Sequence, residues 1–303
     1  MAVLIANADR RRYFAPAATV VIVCLAAHGF GALRLSQTLE GPVVSVAGIV
    51  TDRAIDGGMK TDDEVEQQAL FDLSQTAAER GAELIVWNEA ATIVSGANEA
   101  AMIDRGQQLA SNHGVDLVMA YGVPQADTGL FANKYLWLTP EGSIETYLKH
   151  HPVPGEPSIA GADPLVVHER PYGRVAGAIC YDYDFPAMGK AHAKLGAGLV
   201  VVPSADWKGI DPYHTQMASV RGIEGGFSVV RPVWAATSGA YDAYGRIRAT
   251  MSYYEGESLF IARVPTTRIE TLYSRIGEVV APLALICLLA GLARLLLNRR
   301  KTG

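Results

Sequence analysis

Two long apolar runs, one near each end of the chain, place the strongest limit on how this sequence can fold. The first extends from Phe14 to Leu33 and the second from Val279 to Leu297, and each approaches the roughly 20 residues that cross the hydrocarbon core of a bilayer. Arginines at positions 10–12 precede the first run, and basic residues at positions 299–301 follow the second. Because basic residues favour the cytoplasmic side of the plasma (inner) membrane, the pattern predicts two transmembrane helices, cytoplasmic termini and an extracytoplasmic domain between the helices.

Each apolar run has an alternative interpretation. The first could be a cleaved signal peptide, but it is longer than the roughly 7–15 apolar residues of such peptides, and Leu33-Arg34-Leu35 lacks the small residues of a cleavage site. The second could be a buried core helix, but the basic cluster after it favours an exit from the membrane. We therefore expect a basic N-terminus and transmembrane helix over residues 1–36, a globular domain over residues 43–266, and a transmembrane helix with a basic tail over residues 276–303.

The composition and charge of the chain limit the kinds of molecule that it is expected to bind. The sequence has 303 residues, of which 50% are hydrophobic, and a net charge of -5. Its charged residues are scattered and form no basic stripe, so a nucleic acid is not an expected partner. The part between the apolar runs has no internal repeat or low-complexity tract, and we expect it to form one domain with a substantial core.

Short apolar runs bounded by turn residues alternate with amphipathic segments in this domain, which is typical of an α/β fold. Helices are predicted over Asp62–Arg80 and Ala101–Asn112, the second ending at Gly114. Tyr241–Arg246 is predicted to be a hairpin turn in which Gly245 has a positive φ. Strands are predicted over Val43–Val50, Glu83–Trp87, Asp116–Tyr121, Asn133–Leu138, Ser143–Leu148, Val175–Ile179 and Leu199–Pro203.

Three reactive side chains, Glu89, Lys149 and Cys180, follow three of the predicted strands. Because functional residues of α/β folds gather at strand ends, we expect these side chains to converge. Taken singly, each has a simpler interpretation, since an acid there is commonly a helix cap, a lysine is commonly solvated and a lone cysteine is commonly a buried hydrophobe. The other cysteines, Cys24 and Cys287, lie in the apolar runs, so no disulfide is expected within the domain.

Four stretches carry a resemblance to a known enzyme superfamily. They are Ala82–Glu89 with the sequence AELIVWNE, Tyr147–Glu156 with YLKHHPVPGE, Gly177–Pro186 with GAICYDYDFP, and Ser204–Glu224, which contains SADWKG, HTQM and RGIE. In this order they resemble the carbon-nitrogen hydrolase (nitrilase) superfamily, and within it the extracytoplasmic catalytic domain of the apolipoprotein N-acyltransferases. The resemblance extends from about residue 43 to residue 263.

The resemblance implies an α-β-β-α sandwich and a thiol mechanism. By it, Cys180 is the nucleophile, Glu89 takes and returns its proton, and Lys149 stabilises the oxyanion that forms on attack at a carbonyl. The backbone N–H of Tyr181 is the expected second oxyanion donor, and the product of attack is a thioester. Glu156 corresponds to the additional acid of the family. The residues expected to bind substrate or to support the site are Glu156, Tyr181, Asp182, Trp207 and Trp87.

No cofactor and no metal are expected. A zinc site is the alternative for the polar residues of the second and third stretches, namely His150, His151, Cys180 and Asp182. These residues lack the paired Cys/His spacing of zinc sites, so the alternative is disfavoured.

Three functions stay open. A membrane-anchored acyltransferase, which moves a fatty acyl group from a phospholipid to the N-terminal amine of a lipoprotein, is favoured by the motif detail and the topology. A membrane-tethered amidase or nitrilase acting on a small carbon-nitrogen substrate is favoured by the short membrane region, since the acyltransferases have several helices before the catalytic domain and this chain has room for one. A catalytically silent scaffold is disfavoured by intact Glu89, Lys149 and Cys180. An oligomer is compatible with each, because superfamily members commonly associate.

Overall fold

The computed structural model describes residues 10–51 and 60–302. The chain divides into two compact units, residues 1–40 and residues 41–303. The first unit contains the helix α1 over Arg10–Ser36. Within this helix, Pro16–Ser36 is long and apolar enough to cross a membrane. The predicted apolar helix is therefore present, and its insertion in a membrane stays a prediction.

The second unit combines helices with many short strands, as the alternating sequence pattern predicts. Its described helices are α2 over Glu64–Glu79, α3 over Glu99–His113, α4 over Pro186–Leu195, α5 over Tyr213–Gly225, α6 over Leu272–Ile276 and α7 over Val280–Thr302. Its described strands are β1 over Val43–Ile49, β2 over Leu84–Trp87, β3 over Asp116–Pro124, β4 over Phe131–Thr139, β5 over Gly142–Leu148, β6 over His168–Arg170, β7 over Gly173–Gly177, β8 over Leu199–Val201, β9 over Ser204–Ala205, β10 over Ser228–Arg231, β11 over Val233–Trp234, β12 over Thr237–Tyr241, β13 over Ile247–Ser252 and β14 over Leu259–Pro265.

Two six-stranded sheets form the centre of this unit. The first has the order β14-β1-β2-β3-β4-β5, and the second has the order β13-β12-β10-β8-β7-β6. Strands β1, β2 and β3 are parallel, and β4 and β5 continue the sheet as antiparallel hairpins. Strands β7, β8 and β10 are likewise parallel. Strands β2 and β5 therefore run in the same direction, so the residues that follow them emerge at one edge of the first sheet.

Alternation of side chains along the strands builds two apolar layers. In β1, Val44 and Val46 join a buried cluster that contains residues of both sheets, whereas Ala47 and Ile49 face a second cluster that includes residues of α2 and α3. This is the two-residue period of a strand that is covered on both faces. Buried residues of α4 and α5 also join the first cluster. The order of layers is helix, sheet, sheet, helix, which confirms the predicted α-β-β-α sandwich.

The predicted strands end close to the observed ones, with one informative difference. The segments predicted to end at Ile179 and Pro203 leave the sheet two residues earlier, at Gly177 and Val201. The turn at the reactive cysteine accounts for the first case. Two predicted glycine positions are confirmed: Gly114 ends α3 with a φ of +65°, and Gly245 has a φ of +79° between β12 and β13.

The chain ends in the helix α7, which lies where the sequence predicts a second transmembrane helix. Its apolar part among the residues with described side chains, Val280–Arg294, is shorter than a membrane span. Large apolar side chains along it, including Leu283 and Ile286, are exposed. A helix is therefore present there, and its crossing of a membrane stays a prediction.

Candidate active site

Glu89 follows β2 and is held by three donors. It is 4% exposed, and its Oε1 accepts hydrogen bonds of 2.7 Å from Lys149 Nζ and 2.7 Å from Asn133 Nδ2. Its Oε2 accepts a hydrogen bond of 2.9 Å from the backbone N–H of Ala205. The next residue, Ala90, has a φ of +42°, so the chain turns sharply at the end of the strand. The carboxylate is thereby fixed in one orientation at the edge of the first sheet.

Lys149 directly follows β5 and bridges two carboxylates. Its side chain is 1% exposed, and Nζ lies 2.7 Å from Glu89 Oε1 and 2.7 Å from Glu156 Oε2. Although burial lowers the pKa of Lys149, the negative charges of Glu89 and Glu156 outweigh it and raise that pKa above its ordinary value. Burial raises the pKa of Glu156, but Lys149 outweighs this effect and lowers it. The lysine is therefore a cation and Glu156 is a carboxylate at neutral pH.

Glu156 is oriented by more than the lysine. Its Oε1 accepts from Asn133 Nδ2 at 2.9 Å and from Ser158 Oγ at 3.0 Å, and its Oε2 accepts from the backbone N–H of Val153 at 2.9 Å. Asn133 thus donates to both Glu89 and Glu156. The residue that the resemblance maps onto the additional acid lies in direct contact with Lys149, where such an acid can position the cation.

Cys180 lies on a sharp turn after β7. Its φ is +44°, a conformation that costs a non-glycine residue about 1–3 kcal/mol, and its N–H donates to Pro203 O at 2.9 Å. The Sγ atom is 3.6 Å from Ala205 O, 3.9 Å from Asp206 Oδ1 and 3.9 Å from Arg231 Nη2. Burial, and secondarily the charge of Glu89, raises the pKa of the thiol well above its ordinary value. The resting group is a thiol, so it needs a base at the moment of attack.

The reactive groups line two cavities that have lining residues in common. One, of about 320 Å³, is lined by the Glu89–Lys149–Glu156 cluster, and the other, of about 250 Å³, is lined by Cys180. Val153 and Ala205 line both cavities. Ala205 also contacts both Glu89 and Cys180, because its N–H donates to the Glu89 carboxylate and its carbonyl oxygen lies 3.6 Å from the Cys180 sulfur.

Three residues beside the Cys180 sulfur were not predicted as site residues from the sequence, namely Asp206, His214 and Arg231. Arg231 is completely buried at the end of β10, and its Nη1 and Nη2 donate to Asp206 Oδ2 at 2.8 Å and Oδ1 at 2.9 Å. Burial raises the pKa of Asp206, but Arg231 outweighs it and lowers that pKa to about 2. The strand-end rule that selected Glu89 would also have selected Arg231 had the short strand β10 been predicted.

His214 lies between two carboxylates in the cavity of Cys180. Its Nδ1 is 2.7 Å from Asp206 Oδ1 and its Nε2 is 2.6 Å from Asp184 Oδ1. Because a carboxylate only accepts, the two carboxylates favour protons on both ring nitrogens, and Arg231 Nη2 also lies 2.9 Å from Nδ1. Burial lowers the pKa of His214, but its bonds to Asp184 and Asp206 raise it above its ordinary value.

The donor atoms of Cys180, Asp206 and His214 lie within 4.8 Å of one another, a grouping that by type could hold a metal ion. The Arg231 guanidinium, however, bonds both oxygens of Asp206. Since this cation already neutralises the carboxylate, the cluster is poorly suited to a metal. The contacts of Asp182 also disfavour the alternative zinc site. Its Oδ1 accepts a hydrogen bond from the backbone N–H of His151 at 2.7 Å and lies 3.0 Å from the ring Nδ1 of the same histidine.

The remaining predicted site residues fall in three environments. Tyr181 and the exposed Trp207 line the cavity of Cys180. Asp182 is buried and accepts hydrogen bonds from Tyr147 Oη at 2.8 Å and from the N–H of Ile179 at 3.0 Å. These bonds stabilise the turn that contains Cys180. Trp87 lines neither cavity.

The expectation for Trp87 is corrected by its packing. Its ring is fully buried, lies 5.3 Å from that of Phe71 and donates from Nε1 to Ser74 Oγ at 2.9 Å. It therefore faces α2 on the outer side of the first sheet. The physical reason is that β2 ends at Trp87, so the turn that follows aims Glu89 elsewhere although the two residues are neighbours in sequence.

Comparison with known proteins gives one family and two kinds of relative. The model of the carbon-nitrogen hydrolase family matches residues 53–273. The chain is 27% identical over 338 aligned positions to an apolipoprotein N-acyltransferase of Bradyrhizobium diazoefficiens, covering 97% of this chain and 61% of that protein. It is 29% identical over 143 positions to an (R)-stereoselective amidase of a Pseudomonas species, covering 44% of this chain and 52% of that protein. The matches thus span about half to three fifths of these relatives.

Solved structures share the fold at low sequence identity. An amidase from a Nesterenkonia species superposes with a TM-score of 0.64 at 18% identity, covering 82% of this chain and 98% of that chain. The NitFhit protein of C. elegans superposes with a TM-score of 0.64 at 22% identity, covering 78% of this chain and 64% of that chain. The sandwich is therefore the nitrilase-type α/β fold.

Proposed function

The chain belongs to the carbon-nitrogen hydrolase family, and we propose that it is a membrane-anchored enzyme that carries an acyl group as a thioester on Cys180, in the manner of an apolipoprotein N-acyltransferase. The observation that carries the proposal is the position of Cys180 Sγ at Ala205, whose N–H bonds the carboxylate of the buried Glu89–Lys149 pair. In this proposal Cys180 is the nucleophile, Glu89 is the base and Lys149 is the cation, and the backbone of Ala205 contacts both Cys180 and Glu89.

The first step is attack by sulfur on an ester carbonyl. The thiol proton passes to Glu89 as the bond between Sγ and the carbonyl carbon forms. Burial supports this order, because the raised pKa of Cys180 keeps the thiol protonated until a base removes its proton. The oxygen of the carbonyl then carries the negative charge, and the ammonium of Lys149 and the backbone N–H of Tyr181 are the proposed donors to it.

The second step splits the tetrahedral intermediate. The carbon–oxygen bond of the ester breaks, the departing alkoxide takes the proton from Glu89, and the acyl group stays on Cys180 as a thioester. Glu89 next takes a proton from the amine that attacks the thioester, and the departing thiolate recovers it. Free Glu89 and a thiol on Cys180 are regenerated, so protons and charges balance over the cycle.

The walls of the Cys180 cavity support an apolar acyl group. Five of the residues that line it present apolar or aromatic surface to the space beside the sulfur, namely Val153, Trp207, Ile210, Tyr213 and Met217. The apolar helix over Pro16–Ser36 supports tethering to a membrane. Confinement near a bilayer raises the effective concentration of substrates that are themselves lipids or lipid-anchored.

The test is detection of the acyl-enzyme. The full chain, purified into phospholipid vesicles and digested, should carry a fatty acyl group on the Cys180 peptide, detected by mass spectrometry and removed by hydroxylamine. Addition of a diacylated lipopeptide with a free N-terminal amine should move the acyl group to that amine. Cys180→Ala is the control without the nucleophile. A chain that is never acylated at Cys180 under these conditions contradicts the acyltransferase assignment.

Hydrolysis of a small amide is the second candidate, and a separate observation favours it. The cavity of about 320 Å³ beside Lys149 is lined by polar groups of Glu89, Asn133 and Glu156, which suit a small polar substrate better than an acyl chain. With a primary amide in place of the ester, the carbon–nitrogen bond breaks and ammonia leaves with the proton from Glu89. Water in place of the amine then attacks the thioester and releases the acyl group as a carboxylic acid. Ammonia release from short-chain amides without acylation by phospholipid would favour this candidate.

A further inference from the structure

The charge of Lys149 is already compensated before the thiol ionises. Its Nζ lies 2.7 Å from one carboxylate oxygen of Glu89 and 2.7 Å from one of Glu156. Two carboxylates against one ammonium leave a net negative charge in this cluster. Transfer of the thiol proton to Glu89 moves one negative charge to the sulfur and leaves this net charge unchanged, so Lys149 by itself does not neutralise the ionised site.

A second cation reaches the sulfur from the other sheet. Arg231 ends β10, whereas Lys149 follows β5 of the first sheet. The Nη2 atom of Arg231 is 3.9 Å from Cys180 Sγ. The guanidinium is fixed in place by Asp206, at 2.8 and 2.9 Å, and by Thr215 Oγ1, at 2.7 Å. A planar group bound at both ends in this way loses little freedom when a charge forms beside it.

The buried pair is poorly explained by stability alone. Side chains of Arg231 and Asp206 are each 1% exposed, and removing two charges from water costs several kcal/mol per ion. Apolar residues of similar volume commonly fill such a space without this cost. The Nε atom of Arg231 has no hydrogen-bond partner among the described residues, so the guanidinium is not fully satisfied by its structural contacts.

We propose that Arg231, oriented by Asp206, is a positioning residue that favours the thiolate of Cys180, so that the nucleophile is held between one cation from each sheet. The inference rests on the proposed role of Cys180 as nucleophile. Arg231 makes the attacking thiolate less costly to form without taking its proton, which stays the part of Glu89. Asp206 holds the guanidinium in position, and its negative charge partly offsets the effect of Arg231 on the thiol.

Several charged groups act on the thiol together. Arg231 and Lys149 favour its ionised form, whereas Glu89 and Asp206 oppose it. The ring of His214 lies in the same cluster, 2.7 Å from Asp206 Oδ1. Since these charges come from both sheets, exchange of one group is expected to shift the ionisation of Cys180 rather than abolish it.

The test measures the reactivity of the thiol directly, without turnover. The full chain in detergent micelles is treated with iodoacetamide between pH 6 and 10, and the rate of alkylation at Cys180 is followed by mass spectrometry of its peptide. In Arg231→Gln the alkylation rate at pH 8 should fall at least about tenfold, because a higher thiol pKa leaves a smaller fraction of thiolate. Arg231→Lys, which keeps the charge, should retain most of the wild-type rate.

A second comparison avoids the unpaired carboxylate that Arg231→Gln leaves buried. In the Asp206→Asn background, removal of the arginine strands no acid, so Asp206→Asn/Arg231→Gln is expected to fold. Its alkylation rate should be at least about tenfold below that of Asp206→Asn alone. The matched control is Arg170→Gln/Asp116→Asn, which removes another arginine–aspartate pair, with a buried carboxylate and a partly buried arginine bonded at 2.7 Å, that lines neither cavity. It should leave the alkylation rate unchanged.

The outcomes separate this inference from the proposed function. Equal rates in Asp206→Asn and Asp206→Asn/Arg231→Gln would overturn the role of Arg231 and leave the acyl-enzyme untouched. An equal loss of alkylation rate in the Arg170→Gln/Asp116→Asn control would show that loss of any such pair has this effect, and would also overturn the role of Arg231. Full turnover by Cys180→Ala would instead remove the nucleophile assignment.

Discussion

Lys149 Nζ lies 2.7 Å from Glu89 Oε1 in an ion pair whose two side chains are 1% and 6% exposed. A buried pair of this kind costs several kcal/mol in lost hydration and is sustained only by close geometry and further hydrogen bonds. Glu156, Asn133 and the backbone of Ala205 supply those bonds. The chemistry of the site is therefore inseparable from the packing of the first sheet.

Replacement of this lysine tests that coupling. In Lys149→Met the carboxylates of Glu89 and Glu156 are left buried without a cation, so we expect a loss of about 3–5 kcal/mol in the free energy of unfolding together with loss of turnover. Lys149→Met/Glu156→Gln should recover part of the stability and none of the activity. Denaturant titration and a turnover assay measure both quantities. Activity in the stabilised double variant would mean that the lysine acts only on the fold.

Replacement of the nucleophile should separate activity from stability. Cys180→Ala is expected to abolish turnover with little change in the free energy of unfolding, because it deletes a small side chain and the only atom able to form the thioester. Cys180→Ser should retain at most a trace, since a hydroxyl is much harder to ionise. Turnover and unfolding curves are compared with those of the wild type. A fully active variant of either kind removes Cys180 from the mechanism.

A buried histidine away from the site predicts how stability depends on pH. His192 is fully buried, its Nδ1 lies 2.8 Å from Tyr183 Oη, and burial, with a smaller effect of His150, lowers its pKa to about 4. The unfolded chain therefore binds more protons than the folded chain between about pH 4 and 6.5. Stability contributed by neutral His192 is present above this window and lost as the pH falls through it, by about 3 kcal/mol.

Denaturant titrations in detergent at pH 4.5 and pH 7 provide the measurement. His192→Gln should remove most of the difference in unfolding free energy between the two conditions, because a glutamine does not titrate. His113→Gln, at an exposed histidine near the end of α3, is the matched control and should preserve the difference. If both variants behave alike, the acid sensitivity arises elsewhere.

The predicted topology is tested by thiol labelling in intact cells. Single cysteines are placed at the exposed positions Glu79 and Lys194 in a background of Cys24→Ala, Cys180→Ala and Cys287→Ala. Basic residues flank both apolar runs, so the domain is expected outside the inner membrane and should react with a membrane-impermeant reagent without lysis. Labelling only after the inner membrane is broken would place the domain in the cytoplasm and make a soluble amide the more suitable substrate.

The positions of the three principal site residues could be read from the sequence because each follows a strand. Short apolar runs bounded by turn residues predicted β2, β5 and β7, and the carboxyl ends of such strands collect side chains. Glu89, Lys149 and Cys180 were found in this way, and motif resemblance added Glu156. The order of layers came from the family resemblance, and the burial of β1 on both faces agrees with it.

Tertiary structure decided what surrounds those residues. Arg231 pairs with Asp206, which lies 25 positions earlier in the chain, and no local pattern encodes such a contact, because it depends on how β10 lies beside the turn after β9. Trp87 shows the opposite case: it precedes Glu89 by two residues, yet its ring packs on Phe71 outside the site. Periodicity determines which elements form and which face is buried, whereas the pairing of charges depends on distances between elements, which only the packed sandwich sets.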